Sequence, residues 1–87
     1  MYKILIIEDD EIISNSVKKH IQSWGCIAKC VNDFGNVLHE FADFNPHLVL
    51  LDISLPLYNG YYWCSEIRKT SKVPIIFISS SSDNMNI

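Results

Sequence analysis

Three uninterrupted apolar runs punctuate the chain: Ile4-Leu5-Ile6-Ile7, Leu48-Val49-Leu50-Leu51 and Ile75-Ile76-Phe77-Ile78. Short runs rich in β-branched residues, with no polar residue alternating, fit strands covered on both faces, as in parallel sheets. Ile27 to Val31 is a weaker strand candidate. Between the runs the period changes to that of a helix. Ile13, Val17, Ile21 and Trp24 recur at helical spacing behind Asp9 or Asp10, either of which can cap the helix, and Gly25 stands where a left-handed C-cap residue is common. Phe34, Val37, Leu38 and Phe41 fall at i, i+3, i+4 and i+7 behind a cap at Asn32 or Asp33, and Asn45-Pro46 stops that helix. After a loop holding Pro56 and the turn-forming pair Asn59-Gly60, a third helix over Gly60 to Lys69 turns Trp63, Cys64 and Ile67 inward.

Strands alternating with helices of this length predict an α/β fold of βαβ units, a parallel sheet with helices on both faces. Right-handed crossovers leave few arrangements. The expected one is a flavodoxin-like, doubly wound sheet with strand order 2-1-3-4, in one domain spanning residues 1–87. That order sets the carboxyl ends of the first and third strands side by side. Both ends release acids: Glu8-Asp9-Asp10 after the first run, Asp52 after the third strand. Each has an ordinary explanation alone, since acids cap helix starts and Asp follows strands as a turn residue. Together they place carboxylates in the crevice where open α/β sheets bind ligands. Like charges so close need a counter-charge, and Mg²⁺, which takes oxygen ligands and keeps waters that a phosphate can displace, is the expected one.

Composition narrows the function classes. The chain has 87 residues, 48% hydrophobic and 20% charged, with a net charge of −3 and no Lys/Arg block. That is globular, and it lacks the basic face that phosphate contacts to nucleic acid require. Cys26, Cys30 and Cys64 form an odd set with no C-x-x-C and no His placed to complete a zinc site, so they read as free, small core thiols of a reducing cytoplasm. The apolar run after Met1-Tyr2-Lys3 is too short for a signal peptide or membrane span, and a cytoplasmic location is expected. Trp24, Tyr61, Tyr62 and Trp63 have no interleaved basic residues and are not a stacking platform for bases. His20, His39 and His47 are scattered and receive no role.

Three separated segments resemble the receiver domain of bacterial two-component response regulators. Ile4-Leu5-Ile6-Ile7-Glu8-Asp9-Asp10 is similar to the family's first strand with its acidic pair at Glu8 and Asp9. Leu50-Leu51-Asp52-Ile53-Ser54-Leu55-Pro56 with Gly60 is similar to the D-x-x-x-P-x-x-x-G segment around the phosphorylated aspartate, and Pro74 to Ser79 to the fourth strand with its hydroxyl switch residue. The resemblance runs from Lys3 to about Asp83. It implies Asp52 as phosphoacceptor, Glu8 and Asp9 with the backbone carbonyl of Ser54 as Mg²⁺ ligands, and Ser79 as the hydroxyl that meets the phosphoryl group. It further implies a sensor histidine kinase as donor, no enzyme activity on external substrates, and a DNA-binding output domain elsewhere. Tyr62-Trp63-Cys64, Ile67-Arg68 and Val73 to Ser80 look most like regulators of envelope stress or peptide antibiotics in the winged-helix branch.

The family has a fifth β/α repeat and a lysine that pairs with the phosphate, neither of which is found in these residues, and Lys72 does not match the lysine's position. The expectation is therefore a receiver truncated after its fourth strand, whose edge favours pairing with a second copy. Two alternatives compete. A pseudo-receiver would serve as a binding or dimerisation module without phosphorylation. A haloacid-dehalogenase-like phosphatase would carry a second Asp two residues after its nucleophile, where this chain has Ser54.

Overall fold

The computed structural model describes residues 1–79. The serine run from Ser80 to Asp83, expected to follow the fourth strand, lies outside the described residues. The elements run β1 (Lys3–Ile7), α1 (Glu11–Ser23), β2 (Ile27–Cys30), α2 (Val37–Phe44), β3 (Leu48–Asp52), α3 (Gly60–Arg68) and β4 (Ile75–Ile78). The four strands form one parallel sheet in the order β2-β1-β3-β4, as the sequence predicts. In register, Ile7 lies opposite Leu51 and Asp52 opposite Ile78, so the acids after β1 and at the end of β3 emerge at the same edge.

The continuous apolar character of β1 and β3 is explained by helices on both faces. Leu5, Ile7, Val49 and Leu51 pack with Val37, Trp63 and Ile67 on the side of α2 and α3. Ile4 and Ile6 pack with Ile21 and Ala28 on the side of α1. β4 pairs with β3 alone among the described residues, and Ile76 and Phe77 are 51% and 38% exposed.

Local chemistry sets the helix limits. Asp10 is the N-cap of α1, its Oδ1 accepting the N–H groups of Ile12 at 3.0 Å and Ile13 at 3.3 Å. Gly25, at φ +86°, takes the left-handed turn that follows, and Asn45 does the same after α2 at φ 50°. Asn59 caps α3 through Oδ1 to the N–H of Tyr62 at 3.0 Å.

Three expectations need correction. α2 starts at Val37, not behind Asn32 or Asp33, because Glu40 reaches back to accept the N–H groups of both, and Asp33 Oδ1 instead accepts from Gly35 in a tight turn. Trp24 does not join the inner face of α1: the helix ends at Ser23, and the indole is 73% exposed. The three cysteines are free but only half-buried, packed at the borders of the two core layers rather than within them.

Candidate functional site

The crevice is made by the chain leaving two adjacent central strands. Glu8 and Asp9 follow β1, Asp52 closes β3, and one carboxylate oxygen from each lies within 4.8 Å of the others. Glu8 and Asp52 are buried at 2% and 0% exposure, while Asp9 is exposed. Two backbone N–H groups orient the buried pair: that of Asp10 donates to Glu8 Oε2 at 3.2 Å, and that of Ser54 donates to Asp52 Oδ1 at 3.1 Å. Glu8 Oε1 is buried with no hydrogen-bond partner. An unmatched buried carboxylate oxygen beside two further carboxylates is a donor set suited to a hard divalent cation.

The loop after Asp52 is held by one close approach. Gly60 begins α3 against the backbone of Asp52 and Ile53, and its N–H donates to the Ile53 carbonyl at 2.9 Å. A Cβ at this position would overlap the Asp52 carbonyl oxygen. Gly60, marked in the sequence as a turn residue and as the glycine of the D-x-x-x-P-x-x-x-G segment, therefore fixes where β3 hands over to the loop. Leu57 sits in the same loop at φ 47°, an uncommon conformation for a side-chain-bearing residue, and is exposed.

Of the other residues singled out in the sequence, Ser79 directly follows β4, whose Ile78 carbonyl accepts the Ile53 N–H at 3.1 Å. It is therefore on the same sheet edge as Asp52, though not part of the carboxylate triad. Ser54 reaches the site through its backbone N–H, its side chain being exposed. His47, given no role, has a structural one: its Nδ1 accepts the N–H of Lys3 at 2.9 Å.

Burial, and secondarily the Asp52 carboxyl beside it, pushes the Glu8 carboxyl up from 4.5 to about 7. The folded chain thus keeps a proton that the unfolded chain releases. Its stabilising contribution is complete below the unfolded value of 4.5 and is lost as the pH rises through about 7. In chelator, the melting temperature of the parent is expected to fall across that window relative to Glu8→Gln, and Mg²⁺ to raise it more above the window than below. Parallel pH profiles for parent and variant would overturn this account of Glu8.

Comparison with known proteins agrees with this geometry. The family described as the response regulator receiver domain matches residues 4–87. The uncharacterized transcriptional regulatory protein YvcP of Bacillus subtilis is 46% identical over 86 residues, 99% of this chain and 36% of that protein. The response regulator protein GraR of Staphylococcus aureus is 42% identical over 84 residues, 97% of this chain and 38% of that protein. The chain thus spans little more than a third of the curated relatives it matches.

Among solved structures, the N-terminal domain of the nisin resistance regulator NsrR, a lantibiotic response regulator, superposes with a TM-score of 0.87 at 45% identity, covering 98% of this chain and 72% of that one. This agrees with the peptide-antibiotic branch expected from the sequence. TrrA of Thermotoga maritima, solved in complex with Mg(2+)-BeF, gives 0.84 at 30% identity over 99% of this chain and 76% of that one. A second structure, of histidine kinase ThkA in complex with TrrA, gives 0.82 at 31% identity over 94% and 72%. By its family match, its sheet order and the acids at one sheet edge, the chain belongs to the response regulator receiver domain family.

Proposed function

We propose that this chain is the phosphoacceptor module of a two-component response regulator, with Asp52 as the acceptor. The observation that carries the reading is the triad itself: three carboxylates from two strand ends, with oxygens within 4.8 Å, beside an unmatched Glu8 oxygen. Glu8, Asp9 and Asp52, with the Ser54 carbonyl, would hold Mg²⁺, which when bound offsets the charge on the phosphoryl oxygens. The chain's own residues do the rest. An Asp52 carboxylate oxygen attacks the phosphorus of a phosphohistidine in a sensor kinase; the P–N bond breaks, a P–O bond forms, and the electron pair leaves with the imidazole, which takes up a proton. The Ser54 N–H on Asp52 Oδ1 keeps the carboxylate aimed. Ser79, one residue past the strand position paired with Asp52, would donate its hydroxyl to the acyl phosphate. The added charge would then bias a downstream DNA-binding output domain. That TrrA has been solved with Mg(2+)-BeF and with a histidine kinase supports both partners. No helix among the described residues is long and apolar enough to cross a membrane.

Incubation with a small phosphodonor and Mg²⁺, followed by intact-mass measurement, tests this. One phosphoryl adduct is expected on the parent and none on Asp52→Asn or in chelator. An unmodified parent would favour the pseudo-receiver reading, in which the domain serves only as a binding module. The phosphatase reading gains no support, since Ser54 carries a hydroxyl where that family has its second acid.

Association is the second element of the reading. β4 has a strand on one side only among the described residues and exposes Ile76 and Phe77, so pairing with a second copy along that edge is expected. Light scattering should give a dimeric or larger mass at working concentration, and a strictly monomeric mass would sink the idea.

A further inference from the structure

Asn59-Gly60 is the one place in the chain where an asparagine precedes a glycine. A glycine nitrogen has no side chain beside it to hinder approach, so it can reach the carboxamide carbon of the preceding asparagine and close a five-membered ring. The fold dictates the second residue of the pair: a Cβ at position 60 would overlap the Asp52 carbonyl oxygen, so the loop after β3 must end on glycine. At the first position α3 needs an N-cap, and Asn59 provides it, its Oδ1 accepting the Tyr62 N–H at 3.0 Å. Among the side chains that cap well, only asparagine carries an amide that can leave as ammonia.

The closed loop holds this chemistry back in three ways. The Gly60 N–H donates to the Ile53 carbonyl at 2.9 Å, and the nitrogen must lose that proton before it attacks. The capping bond keeps the Asn59 carboxamide on the Tyr62 N–H. Ring closure also requires the Cα–C bond of Asn59 to turn until Cβ and the Gly60 nitrogen eclipse, and at ψ 173° the two are staggered. All three restraints are released together when the segment from Ile53 to Gly60 lifts. Leu57 within it favours lifting: it sits at φ 47°, a strained conformation for a residue with a side chain, and at 75% exposure it buries little in return.

We propose that Asn59-Gly60 is a self-modification site gated by local opening of the loop from Ile53 to Gly60. In the open loop, hydroxide removes the Gly60 amide proton and the nitrogen bonds to Asn59 Cγ. The carboxamide C–N bond breaks, and its nitrogen leaves as ammonia with a proton from water. Water then opens the succinimide at either carbonyl. One opening gives an aspartyl residue on an unchanged main chain; the other gives an isoaspartyl residue, whose main chain runs through Cβ and Cγ. Each product carries one more negative charge than the parent. The aspartyl product still caps α3. The isoaspartyl product has an extra main-chain atom next to the glycine seated on the Asp52 carbonyl, so the loop cannot close as before. The modification stands whether or not Asp52 accepts a phosphoryl group; only its effect on phosphoryl uptake rests on that reading.

Incubation at mildly alkaline pH, followed by peptide mapping and isoaspartyl methyltransferase labelling, tests this. In unfolding urea, Asn59 is expected to convert before every other asparagine. In buffer its conversion should be slower by roughly tenfold or more, since it waits on opening. Well below the unfolding midpoint the native rate should be nearly indifferent to added urea, because a local opening exposes little surface. Asn59→Ser should abolish the signal in both conditions. After separation by ion exchange, the isoaspartyl product should unfold at a lower urea midpoint than the aspartyl product. Equal rates in buffer and urea, another asparagine converting first, a native rate that climbs with urea, a signal surviving in Asn59→Ser, or equal midpoints for the two products would overturn the inference. Phosphoryl uptake is read on the unmodified parent, so the two readings fail separately.

Discussion

Gly60→Ala is expected to destabilise the fold by about 3 kcal/mol, at the upper end of what overpacking costs. The added Cβ meets backbone, the carbonyl of Asp52 and the Cα of Ile53, and backbone cannot swing away as a long side chain does. Helix propensity pulls the other way, since alanine is favoured over glycine inside a helix by about 1 kcal/mol. At the first position of α3 that gain is smaller still, so the clash decides the sign. Urea denaturation provides the measurement: a clear drop in midpoint at unchanged slope is expected, and a midpoint equal to the parent's would mean the loop gives way without cost. A fall in phosphoryl uptake beyond the loss of folded protein would show that the same contact also aims Asp52.

Leu5→Ala should cost about 2–5 kcal/mol. Leu5 is fully buried on β1, with strands on both sides and the α2–α3 layer above it, so the cavity has little freedom to collapse. For a chain of 87 residues, whose total stability is on the order of 4–13 kcal/mol by the usual per-residue range, that is about a sixth of the total at the least. Leu5→Met, close in volume, should cost under about 1.5 kcal/mol. Equal losses for the two variants would mean that the site senses chemistry other than volume.

The sheet was legible because its central strands are buried on both faces and leave an unbroken apolar signature, which β1 and β3 both carry. The connections left few strand orders, and 2-1-3-4 was the one that lets Glu8, Asp9 and Asp52 meet, as they do. The start of α2 was not legible, since it depends on Glu40 capturing N–H groups seven and eight residues earlier, which local spacing cannot show. Trp24 kept the helical phase of α1 but lies one residue past the helix end, where phase no longer dictates burial. At the site, residue types were visible, but environments were not. That Glu8 is buried deeply enough to hold its proton and that Gly60 touches the Asp52 carbonyl both depend on packing between elements apart in sequence.

The two indoles differ in a way that gives the chain its own optical probes. Trp24 is bathed in solvent beyond α1, whereas Trp63 is buried, flanked edge-on by Tyr58 and Tyr62, in the helix whose first residue rests on Asp52. Fluorescence of the native chain is therefore a sum of a red-shifted, readily quenched emitter and a blue-shifted, shielded one. Replacing Trp24 by phenylalanine removes the first without touching the core, leaving a single emitter whose ring neighbour Tyr58 belongs to the loop after the acid edge. Cation uptake, acyl phosphate formation and loop rearrangement could then each be followed as light, in real time and with no label attached.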